Sequence, residues 1–301
     1  MDIAIMVEGQ SGLNWSRWRK IARAVEELGF AGLYRSDHFT NPQPPDLDSL
    51  ELWTSLTWLA GHTSRIEFGP MVSPVSFRDP VFTARIAKDV DDLSGGRLTL
   101  GVGAGWMERE HEMFGYDLMD LPGRFARFEE GLQVITGLLR SDEPVDFDGE
   151  HYTLQQAVLL PKPAAPGRPP LLIGGNGPKR TLPLVARYAD EWNGVFVTPD
   201  KFAESNRRLD QLLAQGGRRP DEVRRSVMTG LIFGSTQAQL DERLEGRSNS
   251  EARERGLIVG GPEDVAGQVA AYAEAGVERL MLQWLYLDEL DELERLASAL
   301  L

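Results

Sequence analysis

The chain has 301 residues, 42% hydrophobic and 26% charged, with no cysteine and a formal net charge of −14. A chain of that size buries roughly 75% of the surface it exposes when unfolded, so one large domain or two small ones need no covalent staple. Lack of cysteine excludes disulfides and thiolate metal sites and fits a cytoplasmic protein. The acidic balance argues against nucleic-acid backbones and anionic membrane surfaces as partners.

The N-terminal "MDIAIMVEGQ" has neither the basic start nor the long apolar core of a signal peptide, and no apolar run approaches the ~18 residues of a spanning helix. "IAIMV" (3–7) predicts a strand. The next stretch, 15–29, predicts a helix with Trp18, Ile21, Ala22, Val25 and Leu28 on one face and Gly29 at its exit. A strand at 32–36 precedes a helix at 48–63, for which Asp48 or its predecessor is the expected cap. A strand at 65–75 is interrupted by Gly69 and Pro70. Residues 79–96 read as a helix with Asp79 as cap, Pro80 in its first turn and glycine at its end. A strand at 97–105 runs into a glycine-rich turn, and a helix is expected at about 122–140.

The rhythm then breaks. "VDFDGEHYTL" holds Asp-Gly between short alternating runs, a hairpin signal, and a proline-rich connector follows. This predicts an insertion near 141–170. Strand and helix resume over 171–190, a strand over 191–197, a helix over 199–215 and a strand over 224–234. The polar, charged stretch near 235–260 is expected to be a second insertion, either a mobile loop or a helical excursion, in a position to cover a site. A helix (261–276), a strand (277–285) and a last helix (287–301) complete the chain. Eight βα units in one domain, 1–301, predict an α/β fold, a (β/α)8 TIM-type barrel with insertion segments, ahead of an open doubly wound sheet.

In such a barrel the C-terminal strand ends form the site. Glu8, Asp37 and His38, Ser73, Gly103 to Trp106, Gly174 to Thr181, Trp192 and Asn193, and Gln283 and Trp284 fall there. Aromatic and polar groups on one rim describe a pocket for a large flat ligand. "IGGNGPKRT" (173–181) ends a strand in glycines and places Lys179 and Arg180 in the first turn of a helix, an arrangement suited to an anion; the alternative is a tight turn with solvated cations. It is not a Walker loop, and "GVGAGWMEREH" (101–111) is not a Rossmann fingerprint. The prolines and glycine of "GPMVSPVSF" (69–77) mark a bulge or corner. His38 is either a proton donor or acceptor, or a core histidine held by Asp37. His62, His111 and His151 offer it no metal-ligand spacing.

"SDHF", "FGPMVSPVSFRDP", "LSGGRLTLGVGAGW", "RFEEGLQVITGLL", "VDFDGEHY", "LLIGGNGPKRTLPLVARYADEWN" and "GPEDVAGQVAAYAEAGVERLML", in this order and over nearly the whole chain, resemble the luciferase-like monooxygenase superfamily, in particular its F420-dependent oxidoreductases. The resemblance implies a barrel that holds coenzyme F420, or alternatively FMN, in its mouth. It implies a non-proline cis peptide among Met71, Val72 and Ser73 under the ring, with Gly103, Ala104, Gly105 and Trp106 alongside. The phosphate would rest on Gly174, Gly175, Asn176 and Gly177, with Lys179, Arg180 and Thr181 adding charge and hydrogen bonds. Asp37 and His38 match the family's Asp-His pair, with His38 moving the proton that accompanies hydride transfer to or from a small-molecule substrate. A homodimer is also implied. One departure is Trp106, which stands where alcohol- and sugar-oxidising members carry glutamate; Glu108 comes two places later. That leaves reduction by reduced F420, or monooxygenation with FMN supplied by a separate reductase, as the implied chemistry. A cofactor carrier without catalysis is the reading from another class.

Overall fold

The computed structural model describes residues 1–165 and 167–301. Its strands in chain order are β1 (Asp2–Val7), β2 (Gly32–Arg35), β3 (Glu67–Pro70), β4 (Ser73–Pro74), β5 (Leu100–Gly103), β6 (Val145–Asp148), β7 (Thr153–Ala157), β8 (Leu171–Gly174), β9 (Glu191–Val195), β10 (Arg224–Phe233), β11 (Ile258–Gly260) and β12 (Arg279–Gln283). The main sheet runs β3-β2-β1-β12-β10-β9-β8-β5-β4, parallel throughout, with β11 appended to β10.

β3 and β4 are two halves of one strand interrupted at Met71 and Val72, whose peptide bond is cis, within the segment where the resemblance implied one. The two ends of the sheet therefore meet. Phe68 bridges Leu98, and Thr99 donates its amide to the Phe68 carbonyl at 2.8 Å. Counting β3 and β4 as one, the barrel has eight staves, as expected. Glycine makes this seam possible. A Cβ on Gly69 would lie 1.9 Å from the Thr99 carbonyl oxygen, and one on Gly101 2.1 Å from that of Pro70.

The helices are α1 (Trp15–Leu28), α2 (Leu52–His62), α3 (Pro80–Ser94), α4 (Glu108–Phe114), α5 (Leu121–Arg140), α6 (Thr181–Tyr188), α7 (Pro199–Gln215), α8 (Gln237–Leu244), α9 (Asn249–Glu254), α10 (Pro262–Glu274) and α11 (Leu290–Leu300). Their apolar faces pack on the outside of the staves in one large core. α1 buries Trp18, Ile21, Ala22 and Val25 and stops at Gly29, whose φ of 95° suits glycine. Asp79 caps α3 as expected, accepting from the amides of Val81 and Phe82. The cap of α2 is Glu51 and not Asp48, because the Glu51 carboxylate reaches the Thr54 amide at 2.6 Å. α4 was not anticipated from the sequence.

The first insertion carries the antiparallel pair β6 and β7. The second is a helical excursion: α8 and α9 enclose their own apolar cluster of Ile232, Leu240, Leu244, Ala252 and Val259. Among the described residues no helix is long and apolar enough to cross a membrane.

Inside the barrel, Arg279 at the N-terminal end donates to the Tyr34 hydroxyl at 2.5 Å and to Glu191 at 3.0 Å, and also pairs with Glu67. Above it lies a smaller apolar layer that includes Ala4, Met6, Met71, Leu172, Met228 and Met281. That layer is the floor of the site.

Candidate active site

A cavity of about 590 Å³ opens at the C-terminal ends of the staves, within the ~300–1,000 Å³ usual for small-molecule sites. Met6, Met71 and Met228 form its floor, and Val72, Gly103, Ala104, Gly105, Gly174 and Gly175 form one wall. Trp106, Leu121, Phe125 and Phe196 make an apolar rim. The glycines keep the wall thin. A Cβ on Gly103 would sit 2.6 Å from Val72 Cγ2, while Gly105 and Gly175 have φ of 85° and 122°.

His38 lies at the end of β2 and lines the cavity. Its partner is Glu110 of α4, not Asp37. His38 Nδ1 is 2.8 Å from Glu110 Oε1, and Glu110 Oε2 accepts the Phe39 amide at 2.9 Å. Glu110 is 1% exposed, so its charge acts in a poorly screened setting. Burial by itself pushes the imidazolium pKa down. The hydrogen bond and charge of Glu110, with Glu8 and Asp37 behind it, outweigh burial and hold His38 above its ordinary 6.5. With Nδ1–H donated to the carboxylate, Nε2 is left for a ligand. The edge of Trp106 packs on the imidazole at 5.6 Å.

Asp37 is placed elsewhere than the sequence implied. It pairs with the Arg78 guanidinium, accepts from Ser73 Oγ at 3.0 Å, and does not line the cavity. The pairing is physically reasonable because a buried carboxylate demands a cation, and Arg78 follows the broken strand directly. Asp37 and Ser73 thus tie β2 to β4 beneath the site.

Glu8, at the end of β1, lines the cavity with its carboxylate held by two amides: Gln283 Nε2 at 2.6 Å and Gln10 Nε2 at 2.9 Å. Gln10 in turn accepts from Ser36 Oγ at 2.8 Å, and Ser36 Oγ accepts the Gly9 amide. Below them the buried Arg35 guanidinium bonds Ser55 Oγ and the Leu50 carbonyl. Burial pushes Arg35 down to about 10.

The loop after β8 leaves the cavity at Gly175 and continues outward. Lys179 and Arg180 precede α6 and are not in its first turn; Arg180 occupies the cap position and Thr181 begins the helix. Asn176 turns its side chain inward, exchanging hydrogen bonds with the backbone of Val195 at 2.7 and 2.9 Å. A Cβ on Gly177 would crowd Thr181 Oγ1 at 2.9 Å. Among the described residues, the amides of Asn176, Gly177 and Lys179 have no acceptor in the chain. Across from them Arg124 of α5 lines the cavity; one of its donors bonds the Gly105 carbonyl at 3.2 Å, and its Nε is buried without an acceptor. Arg180 stacks 5.8 Å over Phe125.

Trp192 and Trp284 are fully buried and face away from the cavity; their indole N–H groups bond the Gly175 and Tyr286 carbonyls. Sequence reasoning missed Glu110, Arg124, Phe125 and Phe196. Glu110 lies in α4, four residues after Trp106, and no local pattern in "GVGAGWMEREH" singles it out. Among the described residues no group of His, Asp and Glu could hold a metal ion.

Fold and site together define a (β/α)8-barrel protein with a cavity, walled by glycine and flanked by a hydrogen-bonded His–Glu pair, at its C-terminal mouth. The chain belongs to the luciferase-like monooxygenase family, whose model matches residues 3–254. It is 31% identical over 206 residues, 67% of this chain and 52% of the other, to a phthiodiolone/phenolphthiodiolone dimycocerosates ketoreductase of Mycobacterium tuberculosis. The chain therefore spans about half the length of the ketoreductases it matches. An F420-dependent glucose-6-phosphate dehydrogenase of Kineococcus radiotolerans is 27% identical over 290 residues, covering 85% of this chain and 83% of that one. Among solved structures, an F420-dependent secondary alcohol dehydrogenase in complex with an F420-acetone adduct superposes with a TM-score of 0.86 over 100% of this chain and 99% of that one. At 18% identity that likeness is one of fold.

Proposed function

We propose that the protein is an F420-dependent oxidoreductase that reduces the carbonyl of a small organic substrate. The observation that carries this reading is the His38–Glu110 pair, buried at one side of a glycine-walled cavity of about 590 Å³. The cavity fits a flat ring with an anionic tail in three respects. Gly103 and Gly105 leave the wall bare, the orphaned Arg124 Nε calls for an acceptor, and the free amides of Asn176, Gly177 and Lys179 suit a phosphate. When bound, the deazaflavin supplies hydride chemistry.

The chain's own residues do the rest. Met71, Val72, Ala104 and Trp106 would pack against the ring, and Gly174 and Gly175 would begin the phosphate loop, with Lys179, Arg180 and Thr181 beyond it. The His38 imidazolium would give from Nε2 the proton that balances hydride addition at the carbonyl carbon, so that the oxygen would end as an alcohol. Glu110 holds the other nitrogen, so the imidazole turns neither its ring nor its tautomer. Asp37 takes no part in proton transfer under this reading; it supports the floor.

Titration of the purified protein with F420 and with FMN, followed by tryptophan fluorescence, tests the cofactor. Preference for FMN together with oxygen uptake would replace this reading with an FMN-dependent monooxygenase fed by a reductase. Tight F420 binding without turnover on any carbonyl compound would leave a carrier. The proposal further includes one catalytic unit, cytoplasmic placement and a homodimer, the last checked by sedimentation equilibrium.

A further inference from the structure

The cavity is electrically polarised along one diameter. In the ring of staves β1 and β8 stand four places apart in either direction, and so face each other across the barrel. Gly174 and Gly175 after β8 line the cavity on one side, and the loop with the free amides, Lys179 and Arg180 leads outward from there; the cation that lines the cavity itself is Arg124. Glu8 after β1 lines the other side. Beside it Glu110 is paired with His38, so the carboxylate on that side without a cation in hydrogen-bond contact is Glu8.

Glu8 is held as an acceptor. Gln283 binds one of its oxygens and Gln10 the other, and each oxygen of a carboxylate keeps a further lone pair. Both amides belong to residues fixed by the fold: Gln283 ends β12, and Gln10 is 6% exposed and bonded to Ser36. Such a group accepts a hydrogen bond from a ligand's O–H or N–H and repels a ligand anion.

We propose that Glu8 selects the substrate, admitting neutral or cationic carbonyl compounds that carry a hydroxyl or ammonium donor near the reacting carbon and rejecting those that carry a carboxylate or phosphate there. This rests on the reading of the cavity as an F420 site with the cofactor's anionic part at the opposite pole. Rejection follows from charge as well as from lost bonding: of the cations on that side, Arg35 is buried with its donors spent on Ser36, Ser55 and Leu50, and His38 is paired with Glu110.

The test uses the F420-loaded protein and three cyclohexanones substituted at carbon 3 with hydroxymethyl, aminomethyl or carboxylate, matched in skeleton and different in charge. Binding is followed by tryptophan fluorescence and by calorimetry, so that no turnover is needed. Wild type is expected to bind the first two at least tenfold more tightly than the carboxylate. Glu8→Gln, nearly isosteric, is expected to weaken the aminomethyl compound at least tenfold and to tighten the carboxylate, with F420 affinity unchanged. Equal affinities in wild type, no binding of any of the three, or a Glu8→Gln profile like that of wild type would overturn the selection by Glu8 while the F420 reading stands. Failure of the wild-type protein to bind F420 would instead remove the reading beneath it.

Discussion

The two ends of the barrel hold similar charges and use them differently. At the N-terminal end Arg279 meets Glu67, Glu191 and Tyr34 within the protein, and one Glu191 oxygen stays buried without a partner. Burial pushes the Glu191 carboxyl up, against the pull of Arg279. Burial pushes the Tyr34 hydroxyl up as well. At the C-terminal end His38 and Glu8 are each secured on one side and bare toward the cavity. The first cluster is closed around one guanidinium and ties staves together, whereas the second leaves hydrogen-bonding capacity facing the cavity.

Substitutions at the two ends break this comparison in different ways. The largest effect is expected from His38→Ala, which should lower turnover by roughly 10²- to 10⁴-fold while F420 affinity stays put; a single-turnover assay beside a cofactor titration checks both. Unaltered turnover would mean that the free Nε2 moves no proton. At the other end, Arg279→Met strands Glu191 in the barrel and should cost about 3–5 kcal/mol of stability, read from urea denaturation, with activity per folded molecule retained. Gly103→Ala comes next. Its new Cβ would press on Val72 Cγ2, and overpacking of this kind costs roughly 1–3 kcal/mol, expected here mainly as weaker F420 binding.

The smallest effect is on pH dependence. Because His38 is raised above 6.5, a reductive rate should be full at low pH and fall as pH climbs through the raised value. The folding contribution has the same sign: the charged pair stabilises the protein below the unfolded pKa and is lost as pH rises through the folded one. Glu110→Gln removes the charge that offsets burial, so both transitions should move to lower pH, with turnover reduced roughly 10-fold at neutral pH. A pH–rate profile that does not move would separate Glu110 from His38.

Much of the barrel was legible in the chain. Short apolar runs, Asp79 with Pro80, and Gly29 and Gly95 after their helices are local signals, and the structure places the strands and helices within a few residues of them. At the site, His38 and the glycines of residues 103–105 and 174–175 were visible as residue types in telling positions. Their partners were not. Glu110 reaches His38 across 72 residues, Gln283 reaches Glu8 across 275, and Arg78 takes Asp37 away from its neighbour in sequence. Adjacency in the chain pointed to Asp37 as the histidine's partner. Past the end of β2, however, the two neighbouring side chains part, Asp37 toward Arg78 and Ser73 and His38 toward Glu110.

By itself the sequence determined the alternation of strand and helix, the eight-stave count, the Asp79 cap with the Gly29 and Gly95 stops, and the places where backbone had to run bare. These depend on periodicity, on turn chemistry and on the freedom of glycine, all of which act over a few residues. Closure of the barrel decided which carboxylate holds the histidine, which amides hold Glu8, and that β1 stands opposite β8. Those are contacts between distant segments, and a hydrogen bond's direction and length exist only once both of its ends have been brought together in space.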